Sequence, residues 1–152
     1  MEAVIKNKWD LRFIKLAEEV GSWSKDLRTR VGSIIADDDN NPISMGYNGF
    51  ARKIDDSIGD RYLPENKLKW TIHSEANAII NCARHNQCTV NTTMYVTLFP
   101  CNNCAGMIVN AGIKRVVCKN KPDFNNEKWG ESWKISKTIF EEAGVEVTYI
   151  NE

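Results

Sequence analysis

The sequence predicts an α/β protein with a mixed sheet of about five strands and helices in layers on both faces. The chain has 152 residues, of which 42% are hydrophobic. A chain of about 150 residues buries roughly 70% of the surface that it exposes when unfolded, so it forms a core without disulfide support. From residue 73 onward, short apolar runs alternate with helical patterns, which is typical of parallel strands joined by helices. No repeat or linker divides the chain, so we expect one domain over residues 1–152.

The first part of the chain predicts a helix and then an opening antiparallel hairpin. Five apolar residues recur at steps of three and four: Trp9, Phe13, Leu16, Val20 and Trp23. The spacing predicts an amphipathic helix that ends near Gly21 and buries this stripe. Residues 31–36 and 43–47 read as strands on either side of a turn at 37–42. Polar residues 48–69 predict a functional loop or a small irregular insertion.

The remaining elements alternate along the chain. Hydrophobic periodicity predicts helices over residues 73–84, 102–110 and 131–142, and strands over residues 93–98, 116–119 and 145–150. Gly112 and Gly144 follow the second and third of these helices, where glycine commonly ends a helix. This order adds parallel strands to the antiparallel hairpin and therefore predicts a mixed sheet.

Charge and cysteine content restrict the function. Twenty Lys plus Arg balance twenty Asp plus Glu, which disfavours a polynucleotide or an anionic membrane as the partner and favours a small ligand. The N-terminus lacks a signal-peptide pattern, and no run approaches the roughly 18 apolar residues of a membrane span. We expect a cytoplasmic protein whose five cysteines are reduced. Clustered cysteines in that compartment indicate metal or redox chemistry.

Two predicted helix starts carry potential metal ligands. Cys101 and Cys104 are one helical turn apart and follow Pro100, so both sulfurs can point at one spot, and His73 can supply a third ligand. The expected metal is one Zn²⁺ ion, because two thiolates neutralise its charge. Three protein ligands leave the fourth tetrahedral position for water, which is typical of a catalytic site. Two helix N-termini at this position would favour the thiolate and hydroxide forms.

Glu75 completes this pattern. It is two residues past His73, so its carboxylate can lie beside the activated water and carry protons. H-x-E followed by P-C-x-x-C is the established signature of zinc nucleobase deaminases. A redox pair at Cys101 and Cys104 is one alternative. A structural zinc site is another, but its candidate fourth ligands lack ligand spacing: Cys82, His85, Cys88 and Cys118.

The sequence resembles the deoxycytidylate (dCMP) deaminase family of the cytidine deaminase superfamily. The resemblance covers residues 10–118 and rests on segments 24–26 (SKD), 31–35 (VGSII), 46–49 (GYNG), 73–79 (HSEANAI), and 94–104 continuing through 111–114. The histidine and cysteine segments are shared widely among zinc deaminases, whereas GYNG with ANAI is more particular to the nucleotide-acting branch. The resemblance implies a three-layer α/β/α cytidine-deaminase-like fold.

The resemblance also implies an activity, a hydrolase that deaminates dCMP to dUMP and ammonia in pyrimidine nucleotide metabolism. It assigns zinc to His73, Cys101 and Cys104, and proton transfer to Glu75. Asn48 would bind the sugar or pyrimidine, and the backbone amide of Ser74 would bind the base carbonyl. The family implies a homo-oligomer, often a hexamer, with dCTP and dTTP as effectors. The chain departs from the family pattern at Ser74, where Ala is usual, at Ala51, where many relatives carry Pro nearby, and over residues 119–133.

A 5′-phosphate requires a cation. Ser24, Arg28 and Arg30 lie between the first helix and the first strand, where either arginine could clamp a phosphate. Arg52 and Lys53 are a second candidate pair, and a solvated basic turn is the alternative interpretation. Phe99 is a candidate for stacking on the base.

Other functions compete with dCMP deamination. The nearest is deamination of another free cytosine compound, such as cytidine, dCTP or a 5-modified dCMP. A polynucleotide deaminase is disfavoured by the neutral charge. A non-catalytic zinc-binding or nucleotide-binding module is disfavoured because Glu75 is retained.

Overall fold

A computed structural model of the protein describes residues 2–151, with side chains described from residue 8 onward. Its helices are α1 (Glu2–Gly21), α2 (Pro64–Trp70), α3 (Ser74–Arg84), α4 (Asn102–Asn110) and α5 (Gly130–Ala143), with a 3₁₀ turn at Gly59–Tyr62. Its strands are β1 (Gly32–Ala36), β2 (Pro42–Tyr47), β3 (Thr93–Val96), β4 (Arg115–Asn120) and β5 (Glu146–Asn151). Within residues 2–151, no helix is long and apolar enough to cross a membrane.

The five strands form one mixed sheet in the order β2-β1-β3-β4-β5. Strand β1 is antiparallel to both β2 and β3, and β3, β4 and β5 are parallel to one another. The predicted mixed sheet and opening hairpin are therefore confirmed. The connections through α4 and α5 join the parallel strands, as helical crossovers must.

The sheet separates two apolar cores. Helix α1 covers one face, where Phe13 and Ala17 pack against Ile34, Tyr95 and Val117. Helices α3, α4 and α5 cover the other face, where the packed residues include Ala78, Ile108, Phe140, Ile35 and Met94. Neighbouring strand residues point to opposite faces, so Ile34 enters one core and Ile35 the other. This is the three-layer arrangement that the sequence predicts.

The buried stripe of α1 differs from the predicted one. Leu16 and Trp23 are 39% and 49% exposed, whereas Ile14 and Ala17 are buried beside Phe13 and Val20. The buried residues still recur at steps of three and four, so the helical period is right. The side of α1 that faces the core is therefore centred on Ala17, a small residue that contributes little to an apolar pattern. Ala17 lies close to the sheet, where Gly32 of β1 has no side chain.

Residues 49–72 form an excursion with its own short helices, where the sequence predicted a loop or an irregular insertion. Its base is closed by two backbone hydrogen bonds, Gly49 N–H to Ile72 O at 3.1 Å and Ile72 N–H to Gly49 O at 2.8 Å. Inside it, the ring of Phe50 stacks on Tyr62 with centroids 4.7 Å apart. Pro64 at the start of α2 suits a first helical position. This excursion brings α2 to the rim of the site described next.

Candidate metal centre

The N-terminal ends of α3 and α4 meet on the face of the sheet that α1 does not cover. His73 is the residue immediately before α3, and Cys101 is the residue immediately before α4. Cys104 lies in the first turn of α4 and is buried. Helix α3 lies close to β2 because Gly46 has no side chain. A Cβ atom at Gly46 would be 2.4 Å from the carbonyl oxygen of Ser74.

Three donor atoms converge between the two helix ends. The Nδ1 atom of His73 lies 3.4 Å from Sγ of Cys101 and 3.5 Å from Sγ of Cys104. Ordinary zinc–ligand distances of about 2.3 Å for sulfur and 2.05 Å for nitrogen in a tetrahedron give a separation of about 3.6 Å. The three residues therefore fit one Zn²⁺ ion in donor type and in spacing. They are the only such cluster among the side chains that the structure describes.

The electrostatics of the cluster favour metal binding. A hydrogen bond from Cys104, opposed by burial and assisted by His73, holds the pKa of Cys101 well below its usual value. The hydrogen bond to Cys101 raises the pKa of His73. The lowered pKa favours the thiolate form of Cys101, which is the form that binds zinc.

Glu75 lies beside this cluster in the first turn of α3. Its side chain is buried, with 4% of the residue exposed, and burial raises the pKa of its carboxyl group. The Ser74 hydroxyl donates to Oε1 of Glu75 at 2.5 Å, which partly opposes the shift. The Ser74 hydroxyl also lies 2.7 Å from the hydroxyl of Ser33. A buried carboxyl group with a raised pKa, next to a metal-ligand cluster, suits proton transfer near neutral pH.

A pocket opens directly above the cluster. His73, Glu75 and Cys101 are part of its floor. Its apolar wall includes Leu98, Phe99, Trp129 and Trp133, and its rim includes Asp26, Lys67 and Lys128. The indole N–H of Trp133 donates to the carbonyl of Phe99 at 3.1 Å, which fixes two wall residues against each other. Aromatic and aliphatic lining residues beside a few polar groups suit a planar heterocycle.

An outer pocket shares this rim. It is lined by Lys67 and Lys128 together with Arg28, and Asp26 also contributes. Lys67 forms a 3.0 Å ion pair with Asp26. Burial opposes ionisation of Asp26, but the backbone N–H groups of Thr29 and Arg28 and the charge of Lys67 hold its pKa below the usual value. Three cations against one carboxylate leave this mouth positively charged.

Of the predicted substrate residues near the metal centre, Asn48 and Ser74 line the inner pocket and Ser24 does not. Asn48 lines the inner pocket, but its Oδ1 accepts from Val31 N–H and its Nδ2 donates to Thr29 O, both at 2.8 Å. Its side-chain amide thus joins the segment just before β1 to the residue that follows β2. The Ser24 hydroxyl donates to the carbonyl of Asn48 at 2.7 Å, and Ser24 lines neither pocket. Ser74 lies in the inner pocket beside Glu75.

The cationic candidates are divided by the fold. Arg28 lines both the outer pocket and a groove beside Lys119, whereas Arg30 lines that groove but not the outer pocket and donates through Nε to the carbonyl of Asp26 at 3.0 Å. Arg52 bonds Asn81 at 2.8 Å in a groove beside α3. Lys53 lines neither pocket. Arg30 and the Arg52 and Lys53 pair therefore lie outside the pocket above the metal ligands.

Sequence reasoning missed most of the wall and rim. Lys67 comes from the segment interpreted as a loop or insertion, and Lys128, Trp129 and Trp133 come from residues whose patterns departed from the family. Two tryptophans in a polar stretch were the one available signal. Phe99, the predicted stacking residue, lines the pocket, but it is 3% exposed and packs edge-on against Phe140.

Comparisons with known proteins agree with this geometry. The family model for the cytidine and deoxycytidylate deaminase zinc-binding region matches residues 7–120. An "Uncharacterized deaminase in luxG 3'region" from Aliivibrio fischeri is 40% identical over 144 residues, which are 95% of each chain. Human deoxycytidylate deaminase is 34% identical over 145 residues, covering 91% of this chain and 77% of the human one.

A solved structure shares the fold. The dCMP deaminase of the cyanophage S-TIM5, in complex with dCMP and dUMP, matches with a TM-score of 0.76 and 23% identity, over 93% of this chain and 96% of the phage chain. The fold, the three metal-binding side chains and the matched family model lead to one assignment. This chain belongs to the cytidine and deoxycytidylate deaminase family of zinc-binding enzymes.

Proposed function

We propose that this chain, as one deaminase domain, hydrolyses dCMP to dUMP and ammonia. One observation carries the proposal: buried Glu75 lies with His73 and Cys101 in a pocket whose mouth is cationic, and Cys104 completes the metal-ligand cluster behind them. Relatives named deoxycytidylate deaminase, including the human one, support the choice of nucleotide.

His73, Cys101 and Cys104 would hold one Zn²⁺ ion, and the bound ion would supply a water molecule that is activated near neutral pH. Glu75 accepts a proton from the attacking water and delivers it to N3 of the cytosine as oxygen bonds to C4. Glu75 then carries the second water proton to the exocyclic nitrogen. The C4–N bond breaks, ammonia leaves, and the ring becomes uracil.

The side chains around Glu75 orient the base. Trp129 and Trp133 line the pocket, and the backbone amide of Ser74 is the proposed donor to the base carbonyl. The Asn48 side chain holds the segment before β1 against the end of β2. Because Asn48 also lines the pocket, it is the proposed contact of the sugar. Ser24 supports the same loop through Asn48. The wall is apolar, so it excludes bulk water while leaving the floor polar.

The outer pocket is the proposed position of the 5′-phosphate. Arg28, Lys67 and Lys128 line it from three different segments of the chain. A dianionic phosphate would be attracted to this group, whereas an uncharged nucleoside would not. Of the two arginines proposed from the sequence, Arg28 lines this pocket and Arg30 does not, although both line the neighbouring groove beside Lys119.

Turnover of a substrate panel tests the proposal. Zinc-loaded protein is supplied with dCMP, CMP, dCTP, 5-methyl-dCMP or cytidine, and ammonia release is measured. We expect dCMP to give the highest kcat/KM. Full turnover of cytidine without turnover of dCMP would reject the nucleotide assignment. Glu75→Gln keeps the side-chain volume but cannot shuttle a proton, so kcat should fall by roughly 10²-fold or more with zinc content unchanged. Unchanged activity would remove Glu75 from the mechanism.

The phosphate pocket is tested by Lys128→Met. Its exposed ammonium group contacts the ring of Trp129 at 5.3 Å and reaches the pocket mouth. We expect KM for dCMP to rise about 3- to 10-fold, with deoxycytidine kinetics unchanged, because only dCMP carries the phosphate. Lys121→Met, a lysine that lines neither pocket, is the matched control. Equal effects on both substrates would contradict the assignment.

Assembly, regulation and location are part of the same proposal. We propose a homo-oligomer, with a hexamer as the family expectation, and dCTP and dTTP as effectors. Exposed Trp23, Met45 and Ile80 around one groove beside α3 provide apolar surface for subunit contact. A cytoplasmic location is supported by the five free thiols, because thiols persist in a reducing compartment. Light scattering measures the number of subunits, and repeating it with dCTP or dTTP tests whether either triphosphate changes the assembly.

A further inference from the structure

A chain of three buried hydrogen-bonding side chains begins in the sheet and ends at Glu75. Ser33 on β1 is fully buried, and its hydroxyl lies 2.7 Å from the hydroxyl of Ser74. Ser74 is also fully buried and donates to Oε1 of Glu75 at 2.5 Å. Among the described residues, every buried side-chain nitrogen and oxygen atom has a hydrogen-bond partner, so these three side chains satisfy one another without a further ligand.

The direction of these hydrogen bonds follows from their chemistry. An ionised carboxylate only accepts, so the Ser74 proton points at Glu75. A serine hydroxyl has one proton, so Ser33 must donate to Ser74 in that state. Ser33 therefore acts on the carboxylate through Ser74. Because a hydroxyl both donates and accepts, Ser74 can also remain bonded to Glu75 when the carboxyl group carries a proton.

We propose that Ser74, anchored by Ser33, is a positioning residue that fixes the Glu75 carboxylate for proton transfer in this enzyme. One oxygen, Oε1, is held by Ser74, which leaves the other as the oxygen that carries protons. The anchor is rigid because Ser33 lies in a strand paired on both sides, opposite Gly46 in β2 and Val96 in β3. An alanine at position 74 would have no hydroxyl to make this contact.

The role explains the location of both serines. A buried hydroxyl group without a hydrogen-bond partner destabilises the folded protein, so each of two fully buried serines needs a partner. Here the pair ends on the one carboxyl group at the floor of the pocket. The close approach of α3 to β2 at Gly46 brings the two serines within hydrogen-bond distance.

Single and double substitutions test the inference, which rests on the proposed deamination. We expect Ser74→Ala to lower kcat roughly 10-fold, the size of one hydrogen bond to a charged group, with KM within twofold and zinc content unchanged. Ser33→Ala should lower kcat less, about 3-fold. The double variant should match Ser74→Ala alone, because Ser33 acts only through Ser74.

Ser44→Ala is the matched control. Ser44 also joins β2 to α3, donating to the carbonyl of Ala78 at 2.6 Å, but it does not contact Glu75, so kcat should be unchanged. Three results would overturn the inference: wild-type kcat in Ser74→Ala, losses that multiply in the double variant, or loss of zinc in Ser74→Ala. All variants are assayed on whichever cytosine substrate the wild-type protein deaminates. Absence of dCMP turnover would thus reject the proposed substrate and leave the positioning test intact.

Discussion

Gly46 controls how closely α3, which carries Glu75 and begins just after His73, approaches the sheet. A Cβ atom at this position would be 2.4 Å from the carbonyl oxygen of Ser74 and 2.5 Å from the backbone nitrogen of Ala78. Ordinary contact begins at 3.4 Å. The backbone of α3 would therefore have to move by about 1 Å in a Gly46→Ala variant, since neither contact is with a flexible side chain.

A displacement of this size affects the metal centre first. The donor atoms lie within 4.8 Å of one another, and zinc tolerates only about 0.2 Å of deviation in its ligand distances. We expect Gly46→Ala to lose most of its zinc and at least 10²-fold in kcat. Overpacking should also cost about 3 kcal/mol of unfolding free energy, which lowers Tm by roughly 6–12 °C.

Metal analysis, steady-state kinetics and thermal unfolding measure the three effects on one preparation. Gly106→Ala is the matched control, because Gly106 lies in α4 and a Cβ atom there meets nothing within 4 Å. That variant should keep its zinc and activity and gain up to about 1 kcal/mol from the helix preference of alanine. A Gly46→Ala protein with one zinc per chain and wild-type kcat would refute the reasoning.

Three further predictions concern pH, stability and metal. Asp26 has a lowered pKa in the folded protein, so its stabilisation is complete above the unfolded pKa of about 3.8 and is lost as pH falls through the folded value. The stability gap between wild type and Asp26→Asn in urea unfolding should therefore be largest near pH 7 and shrink below about pH 4. Asp10 is 2% exposed and accepts from Arg115 at 2.7 and 3.0 Å. Asp10→Asn should cost about 3 kcal/mol in the same assay, because it leaves the largely buried guanidinium of Arg115 with only the exposed Glu146 carboxylate, 3.6 Å away, as a counterion. A chelator should abolish deamination and lower Tm, and added Zn²⁺ should restore both, because the metal binds the folded state. A chelated protein with full activity would reject the zinc assignment.

The metal-binding residues could be predicted from the sequence because their geometry is largely local. Cys101 and Cys104 are three residues apart at the start of a helix, so the helix itself brings their sulfurs together. Glu75 follows His73 by two residues in the same way. The strands were also predictable from their apolar runs. The observed ends differ from the predicted ones by one or two residues: β3, for example, ends at Val96 and not at residue 98.

The cationic mouth of the pocket could not be predicted in this way. Arg28, Lys67 and Lys128 come from the first connection, from α2 and from the segment before α5, and each alone reads as a surface cation. Arg28 and Arg30 are two residues apart and would be equal candidates by sequence. The structure separates them only in part: both line the groove beside Lys119, but Arg28 also lines the outer pocket, whereas the Nε atom of Arg30 is bound to the carbonyl of Asp26.

The sequence by itself determined the chemistry of this protein: a zinc site of one histidine and two cysteines, a neighbouring carboxylate, and a mixed sheet to carry them. Short spacings and hydrophobic periods encode these features, and local backbone geometry is enough to read them. Only the tertiary structure decided which cations surround the pocket, which tryptophans line it, and that Ser33 reaches Glu75 through Ser74. Such contacts join residues far apart in the chain, and they exist only after the helices have packed on the sheet.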